Sequence, residues 1–113
     1  MAIIINPQSW YRGDAPTVER DRVLQILQAH AQELRGRGVK TLVLIGPAAR
    51  GEAHPGSEID FLLELHPPLT FDHYRQVRDY LQELLANPVE VMLESPHHPL
   101  IWPLIQEEAV FVW

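Results

Sequence analysis

The stretch that decides the fold is LVLIGPAARGEAHPGSEIDFLLEL, residues 42–65. It begins inside Val39–Ile45, an apolar, β-branched run that is too short for a helix of this composition and that ends at Gly46. We predict a buried strand there, in the centre of a sheet. A second strand is predicted over residues 58–65, because its apolar side chains alternate and therefore share one face. These residues are Ile59, Phe61, Leu63 and Leu65.

The other face of this second strand is acidic. Glu58, Asp60 and Glu64 lie on it, and a third predicted strand, Val89–Leu93, places Glu90 on a comparable face. Glu58, Asp60 and Glu90 would then project from one side of two strands, which burial of apolar surface does not explain. Two interpretations stay open. Acids are common on solvated sheet faces, and paired acids also suit a hard cation such as Mg²⁺, which takes oxygen ligands.

Helices are predicted before and between these strands. Residues 17–35 carry apolar side chains at helical spacing, with Thr17 as the N-cap. Residues 71–86 follow the same period after Thr70, which can cap that helix. A short helix is expected around residues 100–108.

The remaining segments complete one domain. Residues 1–16 are rich in turn formers and are predicted to be irregular, whereas residues 110–113 are predicted to add an edge strand. The order of elements predicts an α/β (α+β) fold, a mixed β-sheet with helices packed against one face. With 113 residues, the chain fits one domain spanning residues 1–113, because two would each be too small to bury a good core.

Composition excludes several classes of protein. The chain has no cysteine, which rules out disulfide scaffolds, thiolate zinc sites and cysteine nucleophiles, and fits a reducing cytoplasm. Nine Lys and Arg against fifteen Asp and Glu give a net charge of −6, which argues against nucleic acid as a partner. The N-terminal sequence resembles neither a signal peptide nor a membrane span.

A glycine-bounded turn joins the first two strands. Gly46, Pro47, Ala48, Ala49, Arg50 and Gly51 lead out of the buried strand. At such a place the backbone can approach a phosphate group. Taken alone, the turn is a weak signal.

Together, the turn and the acidic strand resemble the signature of the minimal nucleotidyltransferases (MNT), the small branch of the DNA polymerase beta-like nucleotidyltransferase superfamily. That signature is Gly-Ser, a spacer that contains Arg-Gly-Glu-Ala, Asp-x-Asp on a strand, and a third acid on a later strand. The resemblance runs from about residue 24 to residue 112 and implies the nucleotidyltransferase fold. The matching positions are Gly46, Arg50, Gly51, Glu52, Ala53, Ser57 and Asp60.

The resemblance implies transfer of a nucleoside monophosphate from a nucleotide such as ATP, with Mg²⁺ as cofactor. Glu58 and Asp60 would hold the metal, and Glu90 would join them and help to activate the acceptor oxygen. Gly46 would let the phosphates approach the backbone.

Two further residues keep alternative roles. Arg50 would either pair with a phosphate or brace the acidic strand. Ser57 would either contact the nucleotide or cap the turn before the strand.

Three positions depart from the family pattern. Pro47 replaces the serine and offers neither a hydroxyl nor a backbone N–H to a phosphate oxygen. Glu58 replaces the first aspartate and extends its carboxylate by one carbon–carbon bond, about 1.5 Å. Glu90 stands for the aspartate of the later strand. These changes lead us to consider both an active enzyme and a degenerate one.

Small members of this family are commonly antitoxins of HEPN ribonuclease toxins, which they adenylylate on tyrosine or mask by binding. The resemblance therefore implies an antitoxin that forms a hetero-oligomer with a HEPN toxin, with self-association as the alternative. Two other hypotheses are a degenerate fold that acts by binding alone and a small-molecule nucleotidyltransferase, which the short chain disfavours. Apolar residues near the termini are candidates for the interface. They are Ile3, Ile4, Ile5, Trp10, Trp102, Phe111 and Trp113.

Overall fold

A four-stranded mixed sheet organises the protein, whose computed structural model describes residues 20–113. The strand order is β3-β2-β1-β4; β1 runs antiparallel to β2 and β4, and β2 runs parallel to β3. The mixed sheet predicted from the sequence is therefore confirmed. Its strands are β1 (Val39–Ile45), β2 (Ile59–Leu65), β3 (Val89–Leu93) and β4 (Val110–Phe111).

In the part of the chain that the structure describes, five helices accompany the sheet: α1 (Arg20–Ala29), α2 (Ala31–Gly36), α3 (Gly46–Ala49), α4 (Phe71–Leu85) and α5 (Trp102–Ile105). The single helix predicted over residues 17–35 is wrong in one respect, because it is divided between α1 and α2 at His30. The His30 imidazole Nδ1 lies 2.8 Å from the Ile26 carbonyl oxygen. The His30 backbone N–H donates to the same oxygen at 3.2 Å, so the imidazole adds a second contact to a carbonyl at the end of α1.

Several predictions concern the N-terminal segment. The irregular segment 1–16, the Thr17 N-cap and the apolar residues among the first ten lie outside the described residues. Within residues 20–113, no helix is both long enough and apolar enough to cross a membrane.

Helix α4 begins and ends for the reasons read from the sequence. The Thr70 Oγ1 accepts a hydrogen bond of 3.0 Å from the His73 backbone N–H, which caps the first turn. At the other end Ala86 adopts a left-handed conformation with φ 53°, and Pro88 follows shortly after. This confirms the predicted helix to within one residue at its C-terminal end.

The two faces of the sheet are covered differently. One face, which we call the helix-covered face, buries Ile59, Phe61 and Leu63 in the main apolar core together with side chains of α1, α2 and α4. The opposite face, which we call the acidic face, has a small second cluster in which Ile105 of α5 packs on Val43 and Leu62. The position of α5 on this second face was not predicted from the sequence.

Candidate active site

Strand pairing assembles the acidic face. Asp60 of β2 lies opposite Glu90 of β3 in the parallel pair, and opposite Ile45 of β1 in the antiparallel pair. Since Ile45 is the last residue of β1, the turn that begins at Gly46 starts beside Asp60. The register thus brings together the two motifs that the sequence places fourteen residues apart.

Three carboxylates form a compact cluster at this point. Glu58, Asp60 and Glu90 each offer one carboxylate oxygen, and these oxygens lie within 4.8 Å of one another. A hydrogen bond with Glu90 and the charge of that residue raise the pKa of Glu58. Burial raises the pKa of Asp60, and the charges of Glu90 and Glu108 raise it further. Ionising these carboxyl groups therefore costs free energy, and a bound cation would offset that cost.

The donor set fits a hard divalent cation. All three candidate ligands are carboxylates, the chemistry that Mg²⁺ prefers. Within the described part of the chain, Asp60 Oδ1 is one of two buried side-chain polar atoms that have no hydrogen-bond partner. A buried carboxylate oxygen without a partner is costly, so this atom is a candidate ligand for a cation. A cavity of about 190 Å³ opens beside it, lined by Asp60, Glu90, Ile45 and Met92 among others.

Any other residue at position 46 would require the surrounding structure to rearrange. It has a φ of +72°, which side chains rarely adopt, and a Cβ built on it would lie 2.5 Å from Asp60 Oδ2. The next residue, Pro47, occupies the first turn of α3, where a missing N–H breaks no helical bond. Its carbonyl oxygen accepts the Glu52 N–H at 2.8 Å, which closes the turn.

Arg50 and Ser57 both have partners within the protein. Arg50 Nε donates to Glu52 Oε2 at 3.0 Å and its Nη1 to Glu108 Oε1 at 3.3 Å, and these ion pairs raise the pKa of Arg50. Arg50 thus braces the turn in this structure while its side chain remains 42% exposed. Ser57 Oγ accepts the His54 N–H at 3.1 Å, which is the turn-capping contact.

Glu108 is absent from the candidate site residues that the sequence predicts. The Glu108 Oε2 accepts a hydrogen bond from the backbone N–H of Gly46, a residue 62 positions earlier in the chain. With Glu107 beside it, Glu108 reads as a solvated helix end in the sequence. No local pattern could have found it, because its role depends on how α5 packs across the acidic face.

Comparisons with known proteins agree with this geometry. A family profile described as a nucleotidyltransferase domain matches residues 22–112. The protein adenylyltransferase MntA of Thermococcus cleftensis is 30% identical over 93 residues, which cover 81% of this chain and 94% of that protein.

Two solved structures share the fold. One, provisionally assigned as a minimal nucleotidyltransferase, superposes with a TM-score of 0.67 at 22% identity and covers 82% of this chain and 95% of its own. The other is a complex of the tri-AMPylated Shewanella oneidensis HEPN toxin with an MNT antitoxin, with a TM-score of 0.54 at 13% identity over 80% of this chain and 71% of that one. The family match over most of the chain and the shared fold lead to one conclusion: the protein belongs to the nucleotidyltransferase domain family.

Proposed function

We propose that this protein is an antitoxin that transfers AMP from ATP to a tyrosine of a HEPN toxin, with Mg²⁺ as cofactor. The observation that carries the proposal is the carboxylate cluster, with its unpartnered Asp60 Oδ1, beside the Gly46 turn. Support comes from the Thermococcus relative, which is named as a protein adenylyltransferase, and from the fold shared with an antitoxin bound to its AMPylated toxin. We place the protein in the reducing cytoplasm, because its chain has no cysteine.

Each carboxylate would have a defined task. Glu58, Asp60 and Glu90 would hold Mg²⁺, which when bound would neutralise charge on the triphosphate. The tyrosine oxygen would form a bond to the α-phosphorus of ATP as the bond from that phosphorus to the bridging oxygen breaks, and pyrophosphate would leave. Glu90, which is exposed at the rim, would accept the phenolic proton.

The size of the cavity favours an acceptor supplied by a second protein. At about 190 Å³, the space beside Asp60 is smaller than the roughly 300–1,000 Å³ of sites that enclose a whole small molecule, so ATP and an acceptor would both extend beyond it. It is also open on the exposed side of Glu90 and Met92. A partner seated on this face would exclude water from the cluster and bring its tyrosine to it.

Transfer of label tests the proposal directly. The chain is co-expressed with a candidate HEPN protein, and the complex is incubated with Mg²⁺ and ATP that is radioactive at the α-phosphate. We expect label on the partner, lost in Asp60→Asn because the central acid has no substitute on that face. Glu64→Gln is the matched control, since Glu64 lies on the same face of β2 but outside the carboxylate cluster. Absence of label from a folded complex would overturn the enzymatic proposal.

The second candidate function is neutralisation of the toxin by contact alone. It is favoured by Pro47, which has no N–H for a phosphate oxygen. It is also favoured by Glu58, whose side chain is longer than that of the aspartate in the family pattern. The double variant Pro47→Ser/Glu58→Asp separates the two functions. If wild type is degenerate, the double variant should gain labelling that wild type lacks. If wild type is active through an adapted geometry, the rate of labelling should stay similar or fall.

A cluster of three rings towards the C-terminus is our proposed contact with the toxin. His97, Trp102 and Phe111 lie with ring centroids 6.1–6.5 Å apart, and both Trp102 and Phe111 are more than a third exposed. Trp102→Ala should weaken a co-purified complex, because exposed aromatic residues are common anchors of interfaces. Phe71→Ala removes an even more exposed ring from α4 and is the control. Equal retention of the partner by both variants, on size-exclusion chromatography, would contradict this placement.

A further inference from the structure

We propose that Glu108 is an internal competitor for the nucleotide phosphates, a carboxylate that holds the phosphate-binding turn until the triphosphate displaces it. The inference rests on the proposed function, since it assumes that phosphates bind at the Gly46 turn. It adds a residue that neither the family match nor the signature assigns.

The contacts of Glu108 are those that a phosphate would make. Its Oε2 accepts the Gly46 N–H, and its Oε1 lies 3.3 Å from Arg50 Nη1. The resemblance implies that phosphates approach the backbone at Gly46, and pairing with a phosphate is one of the two roles that it leaves open for Arg50. One carboxylate therefore occupies both residues, and its side chain is only 23% exposed.

The negative charge of Glu108 would oppose the binding of a triphosphate at this turn. Glu108 lies close enough to Asp60 for its charge to raise the pKa of that residue. A triphosphate that entered with Glu108 in place would meet a fixed negative charge at the turn, in addition to the carboxylate cluster. Binding must therefore separate Glu108 from Gly46 and Arg50, and the energy of those charge-assisted contacts is subtracted from nucleotide affinity.

The position of Glu108 in the fold allows it to move. It follows the four-residue helix α5 and precedes β4, which has only two residues, so little regular structure restrains it. The Ile105 side chain anchors this segment in the apolar cluster on Val43 and Leu62. Glu108 can thus swing away from the turn while the segment stays attached to the sheet.

Calorimetric titration of the full-length protein tests the inference. The probes are ATP and inorganic tripolyphosphate, each with Mg²⁺. Glu108→Gln keeps an oxygen that can accept the Gly46 N–H but removes the charge, so we expect both probes to bind about tenfold more tightly, the effect of one charge-assisted hydrogen bond. Glu107→Gln, a change to the exposed neighbour, is the matched control and should leave both affinities unchanged.

A second measurement needs no variant. The amide resonance of Gly46 in the wild-type protein should shift when tripolyphosphate and Mg²⁺ are added, because its acceptor changes from a carboxylate to a phosphate oxygen. A Gly46 resonance that is unmoved at saturating tripolyphosphate would overturn the inference.

The outcomes separate this inference from the proposed function. If wild type binds ATP and Glu108→Gln binds it equally or more weakly, Glu108 is only a brace and the proposed transferase stands. If tripolyphosphate binding tightens in Glu108→Gln but no variant labels the partner, the competitor is supported and adenylyl transfer fails. If neither probe binds any folded variant, both ideas are overturned, because even the freed turn holds no phosphate.

Discussion

The two faces of β2 differ in the side chains that surround them. On the helix-covered face, Ile59, Phe61 and Leu63 are completely buried among other apolar side chains. On the acidic face, Asp60 lies between these residues in sequence but opposite Glu90, and among the described residues the short helix α5 packs on this face through Ile105. One strand can therefore contribute both to the apolar core and to a polar candidate site, because its successive side chains point to opposite faces of the sheet.

The largest expected effect breaks the helix-covered face. Phe61→Ala should lower the free energy of unfolding by about 3–5 kcal/mol, since it leaves a cavity in a fully buried layer. Met92→Ala is the control on the acidic face, where the side chain is 49% exposed, and should cost less than about 1 kcal/mol. Urea denaturation measures both. Equal losses would contradict the division of roles between the faces.

The next prediction tests the close approach of the Gly46 turn to Asp60. Gly46→Ala should cost about 2–3 kcal/mol, because it adds a Cβ contact with Asp60 to the strain of a positive φ. Gly51→Ala is matched in conformation, with φ +74°, but its Cβ would meet nothing within 4 Å. It should cost only the strain, about 1–2 kcal/mol. If the two variants unfold at the same urea concentration, the contact with Asp60 has no energetic weight.

A smaller effect of opposite sign is expected within the acidic face. Without metal, Asp60→Asn should raise the free energy of unfolding by up to about 1 kcal/mol, because it removes a charge directly opposite Glu90 in the sheet. Millimolar Mg²⁺ should raise the melting temperature of wild type but not of this variant, since a ligand stabilises only the state that binds it. A variant that is less stable than wild type in EDTA would refute the account of charge crowding.

The smallest effect concerns a polar link in the layer of helices. The imidazole of His73 lies between two carbonyl oxygens, 2.6 Å from that of Arg37 and 3.0 Å from that of Pro68, and these contacts raise its pKa. The protonated ring can donate to both carbonyls. The resulting stability is therefore fully present below the ordinary histidine pKa and is lost as pH rises through the raised value.

His73→Gln should accordingly cost more at pH 5.5 than at pH 8.5, by about 0.5 kcal/mol, the scale of exposed ionic contacts. Urea denaturation at the two pH values measures the difference. His66→Gln, a change at an exposed site, is the control. A cost for His73→Gln that grows with pH would show that the neutral ring is the one bound.

Much of the fold follows from local pattern. The alternation in residues 58–65 assigned Phe61 and Asp60 to opposite faces, and the structure confirms both the strand and its apolar side. The Thr70 cap and the end of α4 near Pro88 were also readable, because caps and breakers act within one turn of the chain. The break at His30 was not readable, since the apolar spacing continues across it.

By itself, the sequence determined the candidate site residues: Glu58, Asp60 and Glu90 by alternation, and the Gly46 turn by its glycine and its place after a buried strand. Only the tertiary structure decided what those residues meet. The register of β1, β2 and β3 gathers the carboxylates within 4.8 Å, and the packing of α5 brings Glu108 to the turn from 62 positions away. The physical reason is that alternation and capping depend on neighbours in the chain, whereas charge crowding and competition for a donor depend on distance in space.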